Sequence, residues 1–214
     1  MQNIAKYIDH TCLRPNALKI DIQELCAESI EYGFASVCIN PLYIPLAVHC
    51  LRGKDPKVCS VIGFPLGAIS MEMKFAETML AIHQGVDELD MVLNISALKQ
   101  GDYKKVSEEV SKIVSASKDV IIKVIIETCL LNDEEKIKVS SLIKDSGASF
   151  VKTSTGFSIA GATTKDISLI RATVGDNFGV KASGGISTLL DVKSMINAGA
   201  NRIGTSSGVK IINE

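Results

Sequence analysis

Eight short apolar runs recur along this chain, at 7–11, 34–39, 57–64, 86–93, 120–128, 149–154, 179–183 and 202–206. They lie roughly 30 residues apart, the length of one strand, loop and helix unit. Most are continuous rather than alternating, the pattern of parallel strands covered on both faces. Helical patterns with start and stop signals fill the gaps. Leu18, Ile22, Leu25 and Ile30 fall about once per turn before Gly33. Ser70 is placed to cap a helix over 71–84 that stops at Gly85, and Asn132 with Glu135 has capping-box spacing ahead of Gly147. Ser187 is placed to cap a helix carrying Leu189, Val192 and Ile196 that closes at Gly199. No linker, low-complexity segment or charge run divides the chain. The rhythm predicts an α/β fold, a (β/α)8 TIM barrel, as a single domain over 1–214. A doubly wound open sheet is the alternative. It lacks its fingerprint here, since no GxGxxG opens a helix and no GxxxxGK occurs.

Composition narrows the partners. The 214 residues are 46% apolar, enough for a sizeable core. Lys and Arg number 23 against 24 Asp and Glu, a net charge of -1, with both signs scattered. No basic block would draw nucleic acid or an anionic membrane, so neither is an expected partner. The N-terminus lacks the apolar run of a signal peptide, and no stretch approaches the ~20 apolar residues of a membrane helix. Six cysteines occur without a CxxC pair. The expectation is a cytoplasmic protein with reduced, mostly buried thiols.

In a barrel of this kind, chemistry collects where the strands end. The polar residues at those ends are Asp9 and Thr11, Cys38 and Asn40, Asp90 and Asn94, Lys123 and Glu127, Lys152, Lys181, and the segment 204–208. Three lysines on three successive strands would be close neighbours, since adjacent strands lie ~4.8 Å apart. Like charge and burial both oppose protonation of an amine. A neutral amine is the nucleophile that Schiff-base chemistry needs. The plainer alternative has the lysines reach solvent or pair with Glu127 and Asp90. Asp90, in ELDMVLN, is either a structural ion-pair partner or a proton shuttle. Asp9 could equally bond Thr11 or a loop amide. The loops ASGGIST (182–188) and IGTSSG (203–208) join strand ends to helix starts. Small residues there let backbone N–H groups approach a phosphate, with Ser206 and Ser207 adding hydroxyls. His10, His49 and His83 show no metal-ligand spacing. Cys38 closes a strand without a marked basic neighbour and reads as a core thiol before a nucleophile.

At this point the motifs resemble a known family. IDHT, SVCINP, VIGFPLG, LDMVLN, KVIIET, VKTSTGF and KASGGI occur in the order seen in deoxyribose-phosphate aldolases, from about Tyr7 to Ser207. The resemblance implies a class I aldolase that needs no metal or other cofactor. Such an enzyme reversibly cleaves 2-deoxy-D-ribose 5-phosphate to D-glyceraldehyde 3-phosphate and acetaldehyde, in deoxynucleoside catabolism. It implies Lys152 as the Schiff-base lysine, Lys181 as the partner that keeps its amine neutral, and Asp90 as the acid/base of the proton relay. Lys123 falls near the substrate hydroxyl, while Asp9, Thr11 and Cys38 match cavity-lining positions. Gly184, Gly185, Ser206 and Ser207 match the phosphate grip, with Thr155 and Gly156 nearby. A homodimer or homotetramer is left open. Alternatives are another Schiff-base aldolase or transaldolase on the same barrel, or a non-catalytic sugar-phosphate binder. Two departures stand out. Some members carry a lysine directly after the STG segment, where this chain has Phe157. Some end in a tail with a tyrosine that reaches the active site, and this sequence ends KIINE.

Overall fold

The computed structural model describes residues 4–214. Eight strands occur among them: β1 (Ile8–Cys12), β2 (Ser36–Ile39), β3 (Lys57–Ile62), β4 (Glu88–Val92), β5 (Ile121–Ile125), β6 (Phe150–Lys152), β7 (Gly179–Ser183) and β8 (Arg202–Thr205). Each pairs in parallel with the next, and β8 pairs with β1, so the sheet closes in chain order. The expected (β/α)8 barrel is what the chain forms. The helices between are α1 (Lys19–Tyr32), α2 (Ile44–Cys50), α3 (Met71–His83), α4 (Ile95–Lys99), α5 (Tyr103–Ala116), α6 (Asp133–Asp145), α7 (Thr164–Val174), α8 (Leu189–Asn197) and α9 (Gly208–Ile212). None is long and apolar enough to cross a membrane.

Strand residues alternate between the two faces of the sheet. The outward set, including Val37, Leu89, Val124, Val151, Val180 and Ile203, is buried against the helices in one large apolar cluster. Helix α5 shows the complementary stripe. Its Val106, Val110 and Ile113, spaced for one helix face, are all fully buried. The inward set contains the polar strand-end residues, so burying the apolar face turns the charged face into the barrel.

Most helix signals act as expected. Ser70 accepts the Met73 N–H, and the Asn132–Glu135 capping box forms with both bonds at 2.8 Å. The α8 cap is shifted by one residue. Thr188, not Ser187, accepts the Asp191 N–H at 3.1 Å, while Ser187 donates its own N–H to the Asp191 carboxylate. The capping geometry needs a short oxygen three residues before a matching acidic side chain, and Thr188 with Asp191 supplies it. The strands are also shorter than their apolar runs. The run 120–128 ends as strand at Ile125, because Glu127 turns into the left-handed region at φ 53°.

The loops after β6 and β7 cross with no space between them. A Cβ on Gly161 would lie 2.1 Å from the Gly184 carbonyl oxygen. The Ala162 N–H donates to the carbonyls of Ser183 and Gly184 there, at 3.0 and 3.1 Å. Gly161→Ala is therefore expected to force the two loops apart and to destabilise by about 1–3 kcal/mol, read as a lower urea midpoint at unchanged slope.

Candidate active site

The barrel interior divides in two. On the β2 and β3 side the thiols of Cys38 and Cys59 pack with Leu13, Val61 and Phe64. The other strands fill the interior with charge. Asp90 accepts Lys123 Nζ on Oδ1 at 2.8 Å, and on Oδ2 it accepts Lys152 Nζ at 2.7 Å and Lys181 Nζ at 2.8 Å. Asp9 pairs with Lys181 and with Arg202 Nη1, the latter at 2.7 Å. Glu88 pairs with Lys123 at 2.7 Å and Arg202 at 3.0 Å. The six groups Lys123, Glu88, Arg202, Asp9, Lys181 and Asp90 thus form a closed ring of alternating charge. Each member touches two of opposite sign. Lys152 stands outside the ring and touches Asp90 alone.

Register explains the arrangement. Lys152 and Lys181 are direct partners on β6 and β7, so their amines sit at one height. Lys123 pairs with Phe150, two residues lower, and lies opposite Asp90 on β4. The three lysines are therefore not at equal height, as strand position alone had implied. Lys123 is buried in the layer below.

Burial by itself favours the neutral form of every group here. At Asp90 that push is outweighed by Lys123, Lys152 and Lys181, which hold its carboxyl well below the usual range. At Asp9 it is outweighed by Lys181 and Arg202, with the same result. Burial likewise pulls the Lys181 ammonium down, but Asp9 and Asp90 hold it above its ordinary value. Lys123 is held well above its own against burial, by the charges of Asp90 and Glu88. The ring stays ionised at neutral pH. Within the ring, the three carboxylates of Asp9, Glu88 and Asp90 balance Lys123, Lys181 and Arg202.

A cavity of about 580 Å³ opens above Lys152. Of the residues expected at the site, Thr11, Lys152, Thr155, Gly156, Gly184, Gly185 and Ser206 line it. Asp9, Cys38, Asp90, Lys123 and Lys181 form the fully buried layer beneath, so Asp9 and Cys38 touch the charges rather than the cavity wall. The Thr11 hydroxyl donates to the Asp9 carbonyl, leaving the Asp9 carboxylate to the ring. Ser207 is off the cavity, its N–H donated to Thr205 Oγ1 at 3.0 Å. Thr155 donates both its N–H and its hydroxyl to Glu127. The backbone N–H groups of Gly156, Gly184, Gly185 and Ser206 donate to no protein group among the described residues. Phe157 is half-exposed at the rim, edge-on to Phe64 at 5.3 Å. Arg14, which also lines the cavity, is paired with Asp21 at 2.5 Å.

Cys38, Cys59 and Asp90 bring three metal-ligand atoms within 4.8 Å of one another. Three ammonium groups already occupy the Asp90 oxygens, and Lys123 Nζ also lies 3.3 Å from Cys59 Sγ. A divalent cation would have to displace those amines, so the donor set suits lysine chemistry better than a metal.

Comparison with known proteins decides the family. The model for DeoC/LacD family aldolases matches residues 3–214. The chain belongs to that family. DeoC/LacD aldolases close to it in sequence include the deoxyribose-phosphate aldolase of Caldanaerobacter subterraneus subsp. tengcongensis, 57% identical over all of this chain and 94% of that one. The deoxyribose-phosphate aldolase of Clostridium perfringens is 54% identical over 98% of this chain and 94% of its own. Among solved structures, a putative deoxyribose-phosphate aldolase from Coccidioides immitis superposes with a TM-score of 0.96 at 44% identity, covering 99% of this chain and 85% of that chain. The Aeropyrum pernix deoxyribose phosphate aldolase, described as a tetramer, superposes with a TM-score of 0.92 at 35% identity, over 98% and 89%. As an aldolase the chain is a lyase.

Sequence reasoning passed over Glu88, Arg202 and Cys59. Glu88 and Arg202 lie two residues before Asp90 and Gly204 on their strands, so strand alternation places them on the inner face. Asp9→Asn leaves Lys181 and Arg202 with one anionic neighbour each and is expected to destabilise by roughly 3–5 kcal/mol. The Asp9 carboxyl titrates lower folded than unfolded. Its contribution is therefore complete above the ordinary carboxylate value near 4 and is lost as pH falls through the depressed folded value. In urea unfolding the gap between wild type and variant should hold from about pH 5 to 8 and narrow below about 4.

Proposed function

We propose that the chain reversibly cleaves 2-deoxy-D-ribose 5-phosphate into D-glyceraldehyde 3-phosphate and acetaldehyde through a Schiff base on Lys152. The observation that carries this is the position of Lys152, the one amine outside the charge ring, at the floor of the cavity. Its relatives' names supply the substrate. We further take 1–214 as one catalytic domain, working in the cytoplasm as a homodimer or homotetramer.

In the cleavage direction, the Lys152 amine adds to the C1 aldehyde of the open-chain sugar. Loss of water leaves an iminium. The C2–C3 bond then breaks, its electron pair moves into the iminium to give an enamine, and the C3 hydroxyl gives up its proton as it becomes an aldehyde. Glyceraldehyde 3-phosphate leaves. The enamine takes a proton on carbon, and hydrolysis frees acetaldehyde and the amine. Asp90 Oδ2 accepts from both Lys152 Nζ and Lys181 Nζ, at 2.7 and 2.8 Å, and Asp90 is the group within reach for moving these protons. Lys181 also keeps a permanent positive charge beside the reacting nitrogen. That charge opposes protonation of the amine, the role expected for it.

The phosphate end is held by neutral donors, the free N–H groups of Gly156, Gly184, Gly185 and Ser206. A substrate anchored at that end keeps its C1 carbon over Lys152. Phe157 supplies no charge where some members have lysine, so backbone dipoles do this work.

Borohydride reduction in the presence of acetaldehyde should leave a two-carbon adduct on Lys152, seen by peptide mass spectrometry. An adduct elsewhere, or none, overturns the assignment. Lys152→Ala should lower turnover by at least ~10³-fold. Lys181→Leu should move adduct formation to higher pH, because the permanent cation that opposes protonation is gone; an unchanged profile removes Lys181 from that role.

A further inference from the structure

Glu127 follows β5, and its side chain takes no part in the charge ring. The lysines of β5 and β6 pair with Asp90 instead. It is nonetheless buried, with 3% of its surface exposed. It is also the one non-glycine residue with positive φ among the described residues, at 53°. A side-chain-bearing residue adopts that conformation only where its surroundings over-determine it. What surrounds it is the loop that follows the Lys152 strand. The Thr155 N–H lies 3.3 Å from both carboxylate oxygens, and the Thr155 hydroxyl donates to Oε2. The same Thr155 oxygen accepts the Phe157 N–H at 3.1 Å. One residue further along the β5 exit, the Thr128 N–H donates to the Thr153 carbonyl at 2.9 Å. Cys129 Sγ meets Ser158 Oγ at 3.4 Å. The β5 exit therefore grips the β6 exit at residues 153, 155 and 158, with the carboxylate as its middle contact.

Placing a carboxylate here runs against simple electrostatics. Gly156, on the gripped segment, lines the cavity where an anion is to be held, and a nearby negative charge repels that anion. The arrangement makes sense if the carboxylate orders the loop. It takes both Thr155 donors, holds residue 157 through the threonine oxygen, and leaves the N–H of the cavity-lining Gly156 unpaired. We propose that Glu127 is a positioning residue for the phosphate end of the site, holding residues 155–157 so that the Gly156 N–H meets the substrate phosphate. This rests on the aldolase reading above.

The test compares Glu127→Gly and Glu127→Gln on 2-deoxyribose 5-phosphate and on unphosphorylated 2-deoxyribose. Glycine adopts positive φ freely, so it removes the carboxylate without straining the backbone. Glu127→Gly should lose about tenfold or more in kcat/KM on the phosphorylated sugar, mainly through KM, and at least ~fivefold less than that on the unphosphorylated one. Glutamine can still accept the Thr155 N–H and should recover to within ~threefold of wild type. A second measurement needs no turnover: calorimetric affinity for glycerol 3-phosphate should fall ~tenfold in Glu127→Gly. Equal losses on both sugars, unchanged glycerol 3-phosphate affinity, or no binding of it by the wild type would each overturn the proposal. A wild type that binds glycerol 3-phosphate but traps no acetaldehyde would sink the aldolase reading and leave the role of Glu127 measurable.

Discussion

The structure depends on a ring of six charges inside the barrel, all but Arg202 fully shielded from solvent. An isolated ion there would be costly enough to neutralise itself or unfold the site. Here every carboxylate faces at least two cations and every ring cation faces two carboxylates. The six come from β1, β4, β5, β7 and β8. Arg202 on β8 reaches Asp9 on β1 across the seam where the sheet closes. Ring and barrel are therefore one constraint. The charges are satisfied only if the last strand meets the first, and the closed sheet is occupied only if the charges are satisfied.

Much of this was legible in the sequence. Apolar run length and spacing are set by the barrel's own dimensions, so the eight strands, their parallel order and the inward lysines could be read directly. VKTSTGF and KASGGI also led to Lys152 and Lys181 as a pair, and register bears out their common height. What stayed hidden depends on distances between remote residues. Nothing local in RIGTS marks Arg202 as the partner of Asp9, 193 residues away. Nothing local in KVIIET says that its glutamate faces Thr155 rather than an amine, because that follows from a backbone turn at one residue. The α8 cap differs for a local reason: Ser187 and Thr188 are both competent caps, and the placement of Asp191 three residues after Thr188 separates them.

The site also divides by depth. The floor is densely charged, built from buried strand residues that are paired with one another. The rim after β6, β7 and β8 is built from glycine loops with free N–H groups and an aromatic edge formed by Phe64 and Phe157, across from Arg14, Asp21, Glu24 and Glu28. Chemistry at the Lys152 amine is placed at the cavity floor, against the buried charges, where the field is strong. Recognition of a mobile, hydrated anion is placed where backbone can approach it. Glu127 links the two levels, since it leaves β5 just above Lys123 and ends on the loop that follows Lys152.

One consequence follows from Lys152 standing outside the ring. Every other buried ion of the interior is needed by two neighbours, so its loss would propagate through the fold. Lys152 is needed by none, since Asp90 keeps Lys123 and Lys181 without it. The reactive group is thus the most dispensable charge in the barrel for folding. A lineage could exchange or lose the chemistry at that position while the scaffold, its electrostatics and its phosphate rim persisted unchanged.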